Sequence, residues 1–134
     1  MFVYGYTYKL LVTEKEVDVV MARKYHVAKT IIVNPSQTAK FELFRVPTAR
    51  SLIIKEIYIH FPTGSNYTLL VSLYRGEEKV FPIVGEITGD NVLFKFDVEL
   101  RYDSNSIVYA RISNTDDTNA HRVQIIIIGE LIEK

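Results

Sequence analysis

The segment VLFKFDVELR, from Val92 to Arg101, changes character at every residue. Val92, Phe94, Phe96, Val98 and Leu100 make one side apolar, while Leu93, Lys95, Asp97, Glu99 and Arg101 make the other nearly all charged. A period of two belongs to a strand, so this segment is expected to be a β-strand with one face in a core and the other in water. Whatever else the chain does, it must supply a second layer to cover that apolar face.

Other short β-rich runs supply it. From about residue 28 onward we read eight: Ala28 to Val33, Lys40 to Val46, Leu52 to Phe61, Tyr67 to Tyr74, Lys79 to Ile87, Val92 to Arg101, Ser106 to Ser113 and Arg122 to Ile132. Between them lie Asn34-Pro35-Ser36, Pro62-Thr63-Gly64-Ser65, Arg75-Gly76-Glu77, Thr88-Gly89-Asp90-Asn91 and Asp103-Ser104-Asn105. These residues fix φ, tolerate positive φ or bond side chain to backbone, and so mark turns. The spacing is that of a sandwich. Eight antiparallel strands in a chain of 134 residues are expected to form one jelly-roll β-sandwich over residues 28–134, with a seven-stranded immunoglobulin-like sandwich as the nearest competitor.

Residues 1–27 read differently, as an N-terminal arm. Phe2 to Val12 looks like a further strand in which Phe2, Tyr4, Tyr6, Tyr8 and Leu10 fall on every second residue. Thr13-Glu14-Lys15-Glu16 is a capping-box pattern, and Val17, Val20, Met21 and Lys24 follow at helical spacing. A short helix from about Glu14 to Lys24 is the expectation, against the β-branched character of Val17, Val19 and Val20.

Two strands are apolar on both sides. In Ser51 to Phe61, Ile53, Ile57, Ile59 and Phe61 form one face and Leu52, Ile54 and Tyr58 the other; in Arg122 to Ile132, Val123, Ile125, Ile127 and Leu131 alternate with Ile126, Ile128 and Ile132. Left in water, such faces would form an unusually large apolar patch, so the chain's own arm or a neighbouring subunit is expected to cover them. Pro82 cannot donate to a ladder and marks its strand as an edge or a bulge.

Several chemistries find no motif. Lys plus Arg and Asp plus Glu stand at 16 each, so no net field draws the chain to nucleic acid or an anionic membrane. There is no cysteine for disulfides or thiolate metal sites. Neither a secretory leader nor a run long enough to span a bilayer is visible, and the expectation is a soluble cytoplasmic translation product in which the sequon Asn66-Tyr67-Thr68 is loop chemistry. His26, His60 and His121 are widely separated, without metal-ligand spacing. The loops Gly89-Asp90-Asn91, Asp103-Ser104-Asn105 and Asn114 to Asn119 carry oxygens that calcium would accept, but none has the spacing of the twelve-residue calcium loop. No nucleophile elbow or phosphate loop occurs. The chain is therefore expected to be no enzyme and to need no cofactor or metal.

An arm leading into eight strands resembles the single jelly-roll virion proteins. The runs FRVPTARSLIIKEIYIHFP, NYTLLVSLYRGEEKVFP and SIVYARISNTDDTNAHRVQIIIIGELIE are similar in pattern to the small β-sandwich structural proteins of tailed phages and archaeal viruses, over roughly residues 40–134. The resemblance implies a capsid or decoration subunit, made in the host cytoplasm and resident in the virion, that associates with itself and other virion proteins. It places the arm on a neighbouring subunit, where its strand would add to a sheet edge. Genome-contacting arms are typically basic; here Lys9, Lys15, Arg23 and Lys24 are offset by Glu14, Glu16 and Asp18, so no nucleic-acid partner is expected, and no membrane. The expected subunit interface comprises Phe2, Tyr4, Tyr6, Tyr8, Leu10, Leu52, Ile54, Tyr58, Ile126 and Ile128. Abundant Ile, Val, Tyr, Lys and Glu lean toward a thermophilic source. The alternative is a carbohydrate-binding or lectin-like sandwich, with Tyr4, Tyr6 and Tyr8, or Tyr58 and Tyr74, as exposed stacking residues.

Overall fold

The structure, a computed structural model, describes the backbone of residues 2–12 and 17–133 and the side chains of residues 24–133. Nine strands follow one another: β1 (Phe2–Val12), β2 (Val17–Val33), β3 (Thr38–Arg45), β4 (Arg50–Phe61), β5 (Leu69–Arg75), β6 (Glu78–Phe81), β7 (Val92–Tyr102), β8 (Ile107–Asn114) and β9 (His121–Glu133). They form a five-stranded sheet in the order β1-β2-β9-β4-β7 and a four-stranded sheet in the order β3-β8-β5-β6.

The pairing reads as a rolled-up hairpin. β5 pairs with β6, β4 with β7, β3 with β8 and β2 with β9, all antiparallel, so each pair outward from the β5–β6 turn lies in alternate sheets. Two further pairings, β4 with β9 and β5 with β8, join these hairpin arms into sheets. That winding is a jelly roll, and it excludes the immunoglobulin-like alternative. β1 adds a fifth strand at the β2 edge.

Burial follows the alternation expected of two sheets packed face to face. Val33, Ile57, Ile59 and Phe61 from one sheet meet Leu69, Val71, Leu73, Val108 and Ile112 from the other, all fully buried. On β7, Val92, Phe94, Phe96, Val98 and Leu100 face this core and are partly buried, because the strand lies at the sheet edge. Tyr102 closes the strand's end, fully buried, its hydroxyl donating to the Tyr74 carbonyl at 3.1 Å.

All five turn segments read from the sequence lie between strands. Ser36, Asn91 and Asn105 there have positive φ, as do Gly64 and Gly76, and so has Asn66 just after the second segment. The connections from β2 to β3, β4 to β5, β6 to β7 and β8 to β9 gather at one end: Ser36 N donates to Asp116 O, Thr115 N to Thr68 O, and Tyr67 N to Gly89 O. Asn114, buried, ties the β2–β3 and β8–β9 connections together by donating to the carbonyls of Val33, Asn34 and Asn119.

Three expectations are corrected. Residues 17–24, expected within a helix, belong to β2, while Thr13 to Glu16 lie outside the described residues. Here the β-branched residues and the two flanking strands outweigh the local helical spacing, since β2 pairs with β1 on one side and β9 on the other. The strand expected over Lys79 to Ile87 stops at Phe81, before Pro82; only Ile87 rejoins the sheet, through a bridge to Val71. As Pro82 suggested, β6 is an edge strand.

The third correction concerns β4. Its pairing slips between Ile54 and Glu56, leaving Lys55 as an extra residue, a β-bulge. The bulge inverts the alternation, so that Leu52 and Ile54 face the core together with Ile57, Ile59 and Phe61, while Ile53 lies outside, half-buried. Leu52 and Ile54 are therefore core residues of this chain and not part of a subunit-facing surface. Gly129 of β9 stands opposite the bulge: a Cβ there would come within 2.3 Å of the Ile53 carbonyl oxygen. Only glycine admits the backbone that closely.

Candidate functional site

The outward face of the five-stranded sheet can be read across its register. Ala28, Ile126, Tyr58 and Lys95 form one row; His26, Ile128, Glu56 and Asp97 the next; Thr30, Gln124, His60 and Leu93 another. Residues opposite one another on adjacent strands share a face. The face is thus apolar along its middle on β9 and changes to charge on β7.

Ile126, Ile128 and Tyr58 are half-buried on this face. Of the expected interface residues whose side chains are described, these three remain on the surface. Among the described residues β9 contributes most of the outward apolar surface, Ile126 and Ile128 with Ile132 beyond Glu130, because the β4 bulge removes Leu52 and Ile54 to the core. Toward β7 the face is bordered by ion pairs: Lys55 Nζ to Glu99 Oε1 at 2.7 Å and Lys95 Nζ to Glu56 Oε1 at 3.2 Å. The bond from Lys55 holds the Glu99 carboxyl below its ordinary value, and the bond to Glu56 raises the Lys95 ammonium above its own.

Phe2, Tyr4, Tyr6, Tyr8 and Leu10 lie on β1, with side chains outside the described ones. By backbone register Phe2 stands opposite His26, whereas Tyr6, Tyr8 and Leu10 stand opposite Arg23, Met21 and Val19, with an irregularity between Val3 and Tyr6. Along β2 these backbone positions differ in parity. β1 pairs with β2 of its own chain and ends the sheet, which leaves its other edge open.

Of the tyrosines expected as sugar-stacking residues, Tyr58 and Tyr74 have described side chains, while those of Tyr4, Tyr6 and Tyr8 lie outside the described ones. Tyr58 and Tyr74 are half-buried, and Lys40 Nζ sits 4.8 Å from the centre of the Tyr74 ring. That cation occupies a face on which a sugar would stack.

The end loops carry the second feature. His121 Nε2 lies 2.8 Å from Asp116 Oδ2, and Asp116 Oδ1 accepts from the backbone N–H groups of Thr118 and Asn119. These bonds, His121 first among them, hold the Asp116 carboxyl well below the usual carboxylate range. On the neighbouring connection, Asp90 Oδ1 accepts from the N–H groups of Gly64 and Asn66. The carboxylates of Asp90 and Asp116 thus serve the turns. Among the described residues no three His, Asp or Glu side chains come together as metal ligands.

Beside these loops lies a surface hollow of about 370 Å³ lined by Ile32, Pro62, Ala120, His121 and Arg122 among others. It adjoins a second of about 240 Å³ that shares Pro62 and Arg122 and adds Thr30, His60 and Gln124. Sequence reasoning missed this site, whose walls come from β2, β9 and the β4–β5 loop. It also missed Ile83 and Val84, 94% and 87% exposed on the β6–β7 connection, because an apolar pair after Pro82 reads as a strand continuing.

No protein-family model matches the chain, and no curated protein sequence does. Among solved structures it is similar to a chain of the acidic stable capsid structure of Helicobacter pylori bacteriophage KHP30, at 17% identity and a TM-score of 0.48, with 81% of this chain and 93% of that one covered.

Proposed function

We propose that the chain is a structural subunit of a virion, of capsid or decoration type, that assembles with copies of itself through β1 and the outward row of β9. One observation carries the reading: a jelly roll is extended at its β2 edge by a strand from the extreme N-terminal segment, and beside it the same sheet presents Ile126 and Ile128. An open strand edge offers unpaired main-chain donors and acceptors to a second chain. The half-buried isoleucines supply area whose burial is favourable by roughly 25 cal/mol per Å².

The test is the native mass of the full-length protein beside a variant lacking Met1 to Val12, at matched concentration and with circular dichroism to verify the fold. Assembly of the full-length chain and its loss in the folded truncation is the expected result. Equal monomeric masses for both would sink the proposal and turn attention to a glycan screen.

A further inference from the structure

Ile83 and Val84 form the most exposed apolar pair among the described residues. They are held out on a short, fixed loop. On one side Ile87 is locked to Val71 by reciprocal backbone bonds of 2.8 and 2.9 Å, and on the other the Lys79 ammonium donates to the Gly85 carbonyl. Gly85 takes a φ of +75°, a conformation that lets the chain turn back immediately after the pair. Two large apolar side chains on so constrained a loop form a knob.

The hollow beside Ile32, Pro62, Ala120 and Arg122 has the matching character. Ile32 is 65% exposed at its lip, and the surrounding walls are pinned, since Pro62 O accepts from Ser65 N and Asn91 N while Asn114 fixes the loop that carries Ala120. Arg122 beside it has no acidic partner among the described residues, and neither has Glu86, two residues from Val84, a basic one. Glu86 and Arg122 are opposite charges, each beside its apolar patch, and so are complementary. The acidic residue at the tip also disfavours an anionic lipid surface as the occupant.

We infer that Ile83 and Val84 of one copy insert into the Ile32–Pro62–Ala120 hollow of a second copy, with Glu86 facing Arg122 across the contact. The knob stands beyond β6 at the edge of the four-stranded sheet, the socket lies between β2, β9 and the β4–β5 loop, and both stand open in the single chain. A contact that uses the knob of one copy and the socket of the next joins unlike surfaces, and it closes into a ring, a reciprocal pair being the smallest, or runs on as a filament. It rests on the assembly reading above and adds a lateral contact distinct from β1.

The absence of cysteine makes the test clean. Val84→Cys and Ala120→Cys are prepared as separate full-length proteins and mixed under mild oxidation. The mixture should give disulfide dimer in several-fold excess over either variant alone, and the doubly substituted chain should give a ladder or one discrete ring. A second arm reverses charge: Glu86→Arg and Arg122→Glu each weaken association by about tenfold or more, and the two together restore it. No excess dimer from the mixture, in a wild type that is still oligomeric by native mass, overturns the knob and leaves the assembly reading standing. A wild type monomeric at every concentration overturns both. Restoration failing in the charge pair while cross-linking succeeds overturns the Glu86–Arg122 pairing alone.

Discussion

β4 and β7 are neighbours in one sheet and carry almost equal apolar content, yet they use it differently. β7 keeps a strict alternation over its length, with Val92, Phe94, Phe96, Val98 and Leu100 inward and charge outward. β4 begins in one phase, with Leu52 and Ile54 inward, and ends in the other, with Ile57, Ile59 and Phe61 inward. The apparent two-sided apolarity of β4 is thus a phase change at Lys55, whereas that of β9, which has no such slip against β2, is genuine. A pattern that looks like a second hydrophobic face can therefore be one face written in two registers.

The harshest way to break this comparison is Gly129→Ala. The new methyl group would collide with the Ile53 carbonyl at the bulge, in a strand with partners on both sides, and we expect a loss of about 3–5 kcal/mol in denaturant unfolding. Deleting Lys55 from that variant sharpens it. Without the extra residue Leu52, Ile54 and Ile57 fall into one uninterrupted alternation, so the deletion should recover about half of the loss. Deletion that worsens the variant would mean that the bulge does not set the phase.

A smaller effect separates adjacent residues of identical type. Ile54 is fully buried and Ile53 half-buried on the other face, so Ile54→Ala should cost about 3 kcal/mol and Ile53→Ala under about 1 kcal/mol. Reversed magnitudes would restore the register read from the sequence, in which Ile53 faced the core.

Most of the architecture was legible because it is written locally. Asn, Gly and Pro at the turns act through their own φ preferences, and the alternation of β7 and β9 needs only the strand itself. What escaped was set at a distance. The bulge in β4 depends on Gly129, in a strand far along the chain, and β2 over residues 17–24 depends on β1 at one edge, joined from Ala22 onward by β9 at the other, overriding the local helical spacing. The candidate surface was legible in part: Tyr58, Ile126 and Ile128 lie on it, whereas Leu52 and Ile54 followed the wrong phase into the expected interface. The hollow near Arg122 had no signal to read, since its walls converge only when the end loops are folded together.

The smallest effect tests whether charge or phase joins β4 to β7. The Lys55–Glu99 pair lowers the Glu99 carboxyl from its ordinary 4.5 and raises the Lys55 ammonium from its ordinary 10.5. A depressed carboxylate contributes stability above its ordinary value that is lost as pH falls through the folded one; a raised ammonium contributes stability below its ordinary value that is lost as pH rises through the folded one. The pair is thus in force across neutral pH and fades on both sides. Both side chains are well exposed, at 40% and 74%, and water and salt screen them. Glu99→Gln should therefore leave the thermal midpoint at neutral pH within replicate scatter, flatten the stability profile slightly on its acid side, and become indistinguishable from wild type at about 1 M salt. A loss as large as that from Ile54→Ala would mean that surface charge, rather than the packing fixed by the bulge, holds the two strands in register.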